Sequence, residues 1–296
     1  HHDAYFLVAD WNALAVSGHA PHEIEQYSWA MVIDCLACGV NPKVATLFIQ
    51  SWVPELTDVH MILASVTPKA WLERLPSYRE MVAGLGEQQG ASLAMLGAPL
   101  MQAADILALR GQVVPAGPEQ RAHIEFTREV ARRFNHLYGN VFPEPQAHLT
   151  RAPRLPGTDG RKMSKSYRNE IRLSDDPERI KKKIMPMVTD PARARRNDPG
   201  NPEVCPVFDL HKVFTGEKGR EWVVEGCTTA GIGCADCKNH LLERMLPRME
   251  PVSARRREFQ QDPGRVKMVL QEGSTQARSI ARQTMDEVRQ AMKIKY

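Results

Sequence analysis

Short apolar runs separated by stretches of helical periodicity constrain the fold more than any other feature of this sequence. Ala-Tyr-Phe-Leu-Val-Ala at 4–9 is apolar throughout, as a parallel strand covered on both faces would be. Val44 to Gln50 predicts a second strand and Gln112 to Ala116 a third, with Gly117 directly after it. Between the first two, Pro21 opens a helix with Ile24, Tyr27, Met31, Cys35 and Cys38 at helical spacing, and Gly39 ends it. On this pattern Cys35 and Cys38 are core thiols. Pro118-Glu-Gln opens another helix with Ile124, Thr127, Ala131 and Phe134 on one face. Strand–helix alternation predicts an α/β fold, a parallel sheet with helices on both faces. Ligands of such sheets sit at the carboxyl ends of the strands, where Asp10, Asn12 and Gly117 lie.

From about residue 174 the pattern changes to helices. Asp176-Pro177-Glu178 has helix-start chemistry and leads into Ile180, Ile184 and Met187. Leu241 to Leu246 predicts a short helix. Ser274 precedes a last one with Ala277, Ile280, Ala281, Met285, Val288 and Met292 on one stripe. Asp, Pro, Gly and Arg between 189 and 206 predict a long loop. The expected organisation is an α/β domain over 1–173 and an α-helical domain over 174–296.

Charge divides the chain in the same way. Residues 1–150 carry 9 Lys+Arg against 15 Asp+Glu, whereas 151–296 carry 30 against 20. The basic half is the one suited to a polyanion such as nucleic acid. No run of about 18 apolar residues exists, so a transmembrane helix is not expected. No secretory signal is visible at the start, and the chain reads as a reduced, cytoplasmic protein.

The sharpest local signal is Gly157-Thr-Asp-Gly-Arg-Lys-Met-Ser-Lys-Ser166, a glycine loop at 157–168 that places two ammonium groups and two hydroxyls together. That composition suits a triphosphate. Lys162-Met163-Ser164-Lys165-Ser166 is identical to the KMSKS signature of class I aminoacyl-tRNA synthetases. Three further segments resemble tryptophanyl-tRNA synthetases in order and spacing: Met101 to Leu107, Val114 to Glu125, and Ala131 to Asn135. The resemblance runs from Phe6 to the C-terminal helix.

The resemblance implies a Rossmann-like catalytic domain followed by an α-helical anticodon-binding domain. It implies activation of L-tryptophan by ATP and Mg²⁺, transfer to tRNA(Trp), a homodimer, and no membrane association. Asp105 matches the acceptor of the indole N–H, with Gln102 one helical turn before it and Asn12 in the same pocket, where the family often has His. Gly117, Pro118, Glu119 and Gln120 match the turn holding the adenylate ribose, where a helix N-terminus also favours phosphate. Leu155 matches a position whose backbone meets adenine. Lys162 and Lys165 are the expected catalytic residues, with Met163, Ser164 and Ser166 completing the ATP-binding loop. The family opens with a Pro-Thr-Gly…His-x-Gly segment that grips ATP, and these 296 residues begin after that point. A tyrosine-activating sister enzyme, or a non-catalytic RNA-binding protein of synthetase descent, are the alternatives.

Cys205-x21-Cys227-x6-Cys234-x2-Cys237 forms a second constellation. Structural zinc sites usually pair two short knuckles, and only one is present. The spacing favours an iron–sulfur cluster over Zn²⁺, with unmetallated cysteines as a third reading. The surrounding sequence resembles bacterial tryptophanyl-tRNA synthetases with a [4Fe–4S] cluster near the anticodon, which implies these four thiolates as its ligands.

Overall fold

The computed structural model describes residues 3–17, 21–83, 91–149, 155–164 and 167–294. Two compact units divide the chain. The first comprises His1–Cys35, Gly39–Thr150 and Asp262–Tyr296, and the second Leu36–Cys38 and Arg151–Gln261. By contacts the chain divides near 150 and again at 261, the second division arising because the C-terminal helix packs into the core of the first unit.

In the first unit, β1 (Ala4–Val8) pairs in parallel with β2 (Ala45–Ile49), Ala4 opposite Ala45 and Val8 opposite Ile49. A second parallel pair joins β3 (Val113–Ala116) to β4 (Gln146–Leu149). The alternation thus delivers parallel strands and the expected class, with the described strands grouped as two two-stranded sheets. Leu47, Phe48 and Ile49 of β2 are buried. β1 is not covered on both faces: Phe6 is 41% exposed, and among the described residues β1 pairs with β2 alone.

Helices α1 (Asp10–Ser17) and α2 (Pro21–Ala37) follow β1. Gly39 ends α2 region at φ +105°, a left-handed conformation suited to glycine. The buried face of α2 is Ser28, Val32, Leu36 and Ala37, while Tyr27, Met31 and Cys38 are exposed. The predicted face was rotated because it followed the largest apolar side chains. Cys38 is therefore not a core thiol.

After β2 come α3 (Glu55–Val66), α4 (Lys69–Glu73), α5 (Pro76–Ala83) and α6 (Leu93–Ala108). The Ser92 hydroxyl caps α6 by accepting from the Met95 N–H at 3.1 Å. α7 (Arg121–Tyr138) buries Ile124, Thr127, Ala131 and Phe134, the face that periodicity predicts. These helices build one core with Phe48, Leu56, Leu63, Leu107, Phe126 and Phe134.

The second unit contains α8 (Pro177–Ile184), capped by Asp176, then α9 (Pro206–Phe214), α10 (Glu217–Thr228) and α11 (Cys234–Gln261). Its core gathers Ile180, Ile184, Met187, Leu210, Leu241 and Met245. The segment 189–205 is a loop apart from one 3-10 turn, Pro202–Val204, and residue 206 of the expected loop already opens α9. Buried Asp190 organises it by accepting from the backbone N–H groups of Ala192 and Asn201 at 2.8 and 2.7 Å. The short helix expected at 241 belongs to the 28-residue α11.

α12 (Pro263–Ala291) returns to the first unit. It starts eleven residues before Ser274, capped by Asp262, whose carboxylate accepts from the Arg265 N–H at 3.0 Å. Ala277, Ala281, Met285 and Val288 enter the first core. Gly273 meets β2 so closely that a Cβ there would lie 2.1 Å from the Leu47 carbonyl oxygen. Buried Glu55 accepts from Arg278 and Arg282 of α12 at 2.9 and 2.8 Å, which fixes the helix on α3. No helix among the described residues is long and apolar enough to cross a membrane.

Candidate active site

The carboxyl ends of β1 and β2 lie side by side, and the chain turns polar at both. Asp10 opens α1, and its Oδ1 accepts from the backbone N–H groups of Trp11 and Ser51, each at 3.0 Å. Gln50 opens a 3-10 turn, Gln50–Trp52, after β2 and has no exposed surface. Its side-chain oxygen accepts from the Asn12 N–H at 3.2 Å, and its Nε2 donates to both Asp105 oxygens at 2.8 Å. Asn12 Oδ1 is buried with no hydrogen-bond partner among the described residues, an acceptor open to a ligand's donor.

Asp105 lies in the last turn of α6 among Ala103, Ala104, Leu107 and Ala108, all fully buried, and is itself 9% exposed. Burial raises its carboxyl to about 7, the Gln50 hydrogen bond lowers it, and the charge of Asp10 raises it. The folded chain therefore holds a proton here that the unfolded chain has already released. This residue favours folding most below about pH 4, and that contribution is lost as pH rises through about 7. A carboxylate in an apolar wall needs donors. Gln50 supplies one, and each oxygen keeps a lone pair for another.

Gln102, three residues before Asp105 on the same helix face, belongs to a second network. Its Oε1 lies 2.8 Å from His123 Nδ1, and its Nε2 donates to Gln120 Oε1 at 3.4 Å. An amide oxygen only accepts, so the ring proton is on Nδ1 and Ser77 Oγ donates to Nε2 at 2.6 Å. Burial lowers His123 below the ordinary histidine range, which keeps the ring neutral. Gln120 closes the 3-10 turn Pro118–Gln120, its N–H donating to the Gly117 carbonyl at 3.0 Å. Glu119 folds its carboxylate over Gly117, into space that a Cβ at 117 would fill. Asn12, Gln102, Asp105, Gly117, Pro118, Glu119 and Gln120 thus all belong to the first unit. Gln50, Ser77 and His123 were not expected from sequence. The available signal for Gln50 was a polar residue terminating a buried strand at its carboxyl end.

The glycine loop belongs to the second unit. Pro156 bridges Lys162, and the Gly157 N–H donates to the Arg161 carbonyl at 2.7 Å. Gly160 turns the chain at φ +80°. Buried Asn169 holds the loop from beneath. Its Oδ1 accepts from the Ser164 N–H at 2.8 Å, and its Nδ2 donates to Asp159 at 2.7 Å and to the Lys162 carbonyl at 3.1 Å. The Asn169 bond, with Arg161 assisting against desolvation, holds the Asp159 carboxyl down at about 2. Lys162 is exposed, Met163 and Ser164 are half-buried, and Leu155 packs on the core of the second unit. Lys165 and Ser166 lie outside the described residues.

Cys205 precedes α9, Cys227 lies in the last turn of α10, and Cys234 and Cys237 occupy the first turn of α11. The four are half-buried and close enough that Cys205, Cys227 and Cys234 all act on Cys237, whose thiol burial first and their charges second push up to about 12. Burial likewise raises Cys227, against the guanidinium of Arg193, whose Nη1 is 3.9 Å from its sulfur. A Cβ at Gly200 would stand 2.6 Å from that sulfur. Among the described residues, no three His, Cys, Asp or Glu groups are gathered tightly enough to hold a single metal ion.

The family described as class I tRNA synthetases (W and Y) matches residues 1–248. The tryptophan–tRNA ligase of Thermotoga maritima is 44% identical over 295 residues, covering 99% of this chain and 90% of that protein. The tryptophan–tRNA ligase of Aquifex aeolicus is 38% identical, covering 99% and 92%. Among solved structures, tryptophanyl-tRNA synthetase from Campylobacter jejuni, complexed with ADP and tryptophan, matches with a TM-score of 0.84. It is 30% identical, over 97% of this chain and 88% of that one. The KMSKS loop, the Asp105 helix and the parallel-strand order therefore stand in a chain that belongs to the class I tRNA synthetases of the W and Y family.

Proposed function

We propose that this chain activates L-tryptophan with ATP and transfers it to tRNA(Trp). The observation that carries the reading is Asp105, a buried carboxylate in an apolar helix face with both oxygens already oriented. Indole offers one N–H donor and no acceptor, which such a group satisfies. Asn12 and Gln102 complete the amino-acid pocket. Gly117, Pro118, Glu119 and Gln120 hold the ribose, and Leu155 meets adenine.

The tryptophan carboxylate attacks the α-phosphate in line, and pyrophosphate leaves with the P–O bond electrons. A carboxylate needs no general base, so the protein's part is positioning and charge stabilisation. Lys162 and Lys165 supply mobile positive charge, with Met163, Ser164 and Ser166 shaping the loop around the phosphates. Mg²⁺ bound with ATP neutralises phosphate charge. A ribose hydroxyl of the terminal adenosine of tRNA then attacks the acyl carbon of the adenylate: the ester C–O bond forms, AMP leaves with the electrons of its bond to that carbon, and the hydroxyl proton passes to the medium. The basic helical region after residue 174 binds the anticodon, with bases splayed out and read singly. The enzyme acts as a cytoplasmic homodimer. Amino-acid-dependent pyrophosphate exchange tests the reading: exchange with tryptophan supports it, while exchange with tyrosine alone, or none, overturns it.

Cys205, Cys227, Cys234 and Cys237 are proposed to hold a [4Fe–4S] cluster. Four thiols within electrostatic reach of one another suit a cationic iron core. The four thiols come from the residue before α9, the last turn of α10 and the first turn of α11, and would hold such a cluster between these three helices. Anaerobically purified protein is expected to be brown, with about four irons and four sulfides per chain. Cys234→Ser should lose the colour and destabilise the second unit, because metal binding is coupled to folding. One zinc per chain in a colourless protein would overturn the assignment.

A further inference from the structure

Among the described residues, Gln50 is the side chain whose hydrogen bonds join the two strand ends to Asp105. It is rooted at the end of β2, accepts from the backbone of α1, and donates to both carboxylate oxygens on α6. We infer that Gln50 is a positioning residue for substrate recognition. It holds both oxygens of Asp105 so that a remaining lone pair faces the indole N–H. The inference rests on the reading of Asp105 given above.

Three observations set Gln50 apart from an ordinary buried amide. It has no exposed surface, so it acts on substrate only through another group. Its amide nitrogen donates to a side chain of the candidate pocket, whereas most side-chain hydrogen bonds go to backbone or water. Its nitrogen lies 2.8 Å from each of the two oxygens, so one amide holds both ends of the carboxyl group. Gln50 therefore favours the charged form, opposing the burial that favours the neutral one. The charged neighbour acting on Asp105 is Asp10 on α1, which also favours the neutral form.

Gln50→Met keeps the length of the side chain and removes its donor. In pyrophosphate exchange with the full chain, it is expected to raise KM for tryptophan about 10- to 100-fold at pH 7 and leave KM for ATP unchanged. The acid limb of the tryptophan kcat/KM profile should move to higher pH, so the deficit narrows between pH 7 and 9. A merely structural role would impair both substrates or give the same deficit at every pH, and either result overturns the inference. Gln50→Glu is the second variant, for the case in which the methionine does not fold. Two facing carboxyls share a proton at neutral pH, so the acid limb should again move up. An unmoved limb in Gln50→Glu equally overturns the inference. Asp105→Ala run in parallel separates the two claims. Full activity in that variant defeats the reading of Asp105. Loss there with an unmoved limb in the Gln50 variants defeats the Gln50 assignment alone.

Discussion

Asp105→Ala is expected to lower kcat/KM for tryptophan by about 10⁴-fold and to narrow its lead over phenylalanine by a similar factor. A site built around a buried polar group rejects an analogue lacking the partner far more strongly than one built on shape. Phenylalanine brings no donor to the carboxylate, so the parent leaves that group unpaired, whereas the alanine variant treats both rings as shapes. KM for ATP should change little, since the residues assigned to the nucleotide are Gly117 to Gln120, Leu155 and the glycine loop. The charged form is the acceptor, and burial raises the carboxyl to about 7. In the parent, kcat/KM for tryptophan should therefore be level above about pH 8 and fall roughly tenfold per pH unit below 6. The variant should lack that limb. Parent-like tryptophan activation by Asp105→Ala would mean that the indole is read elsewhere.

Lys165→Ala is expected to slow tryptophan activation about 10²-fold or more while KM for tryptophan stays near the parent value. An ammonium on a glycine loop is a point charge that can follow phosphate oxygens as pyrophosphate departs. Its contribution is made in the transition state, so it appears in kcat. Lys162→Ala should behave similarly. The base of the loop should stay fixed in Lys162→Ala, because Asn169 grips the Ser164 N–H, the Asp159 carboxylate and the backbone carbonyl of residue 162, which the substitution keeps. Pre-steady-state formation of the adenylate measures the chemical step directly. Unchanged adenylate formation in both variants would leave these lysines as surface charges.

How legible the fold was depends on where each element's information lies. β2 could be read because a strand buried on both faces is nearly all apolar, here with Thr46 as the exception, and α7 because its stripe keeps period through Phe134. β4 escaped notice: four residues with no buried member carry no pattern, and pairing with β3 is what makes them a strand. Of α11 only 241–246 could be read, since these residues are its apolar run, yet the helix extends from Cys234 to Gln261 and continues through Pro247 and Pro251. The unit boundary was hidden because α12 is distant in sequence from β2 and α3, to which Gly273, Arg278 and Arg282 bind it. Asp105 could be found from its motif. Gln50 could not, since an isolated Gln after Ile49 reads as the end of a strand. His123 was hidden because its partners Ser77 and Gln102 lie 46 and 21 residues away.

The return of α12 to the first unit carries a consequence for biogenesis. Ribosomes deliver a chain from its N-terminus, so the second unit is complete in sequence before residues 262–294 emerge. Until then the groove against β2 lacks Gly273, the core lacks Ala277, Ala281, Met285 and Val288, and Glu55 lacks its two arginines. The nascent first unit must wait with Leu47 and Phe48 uncovered on that side. Exposed apolar surface of this kind attracts holding chaperones and promotes aggregation. A stop codon at 262 would therefore leave the second unit intact and strand the first in that waiting state, although every residue of its candidate pocket had already been translated.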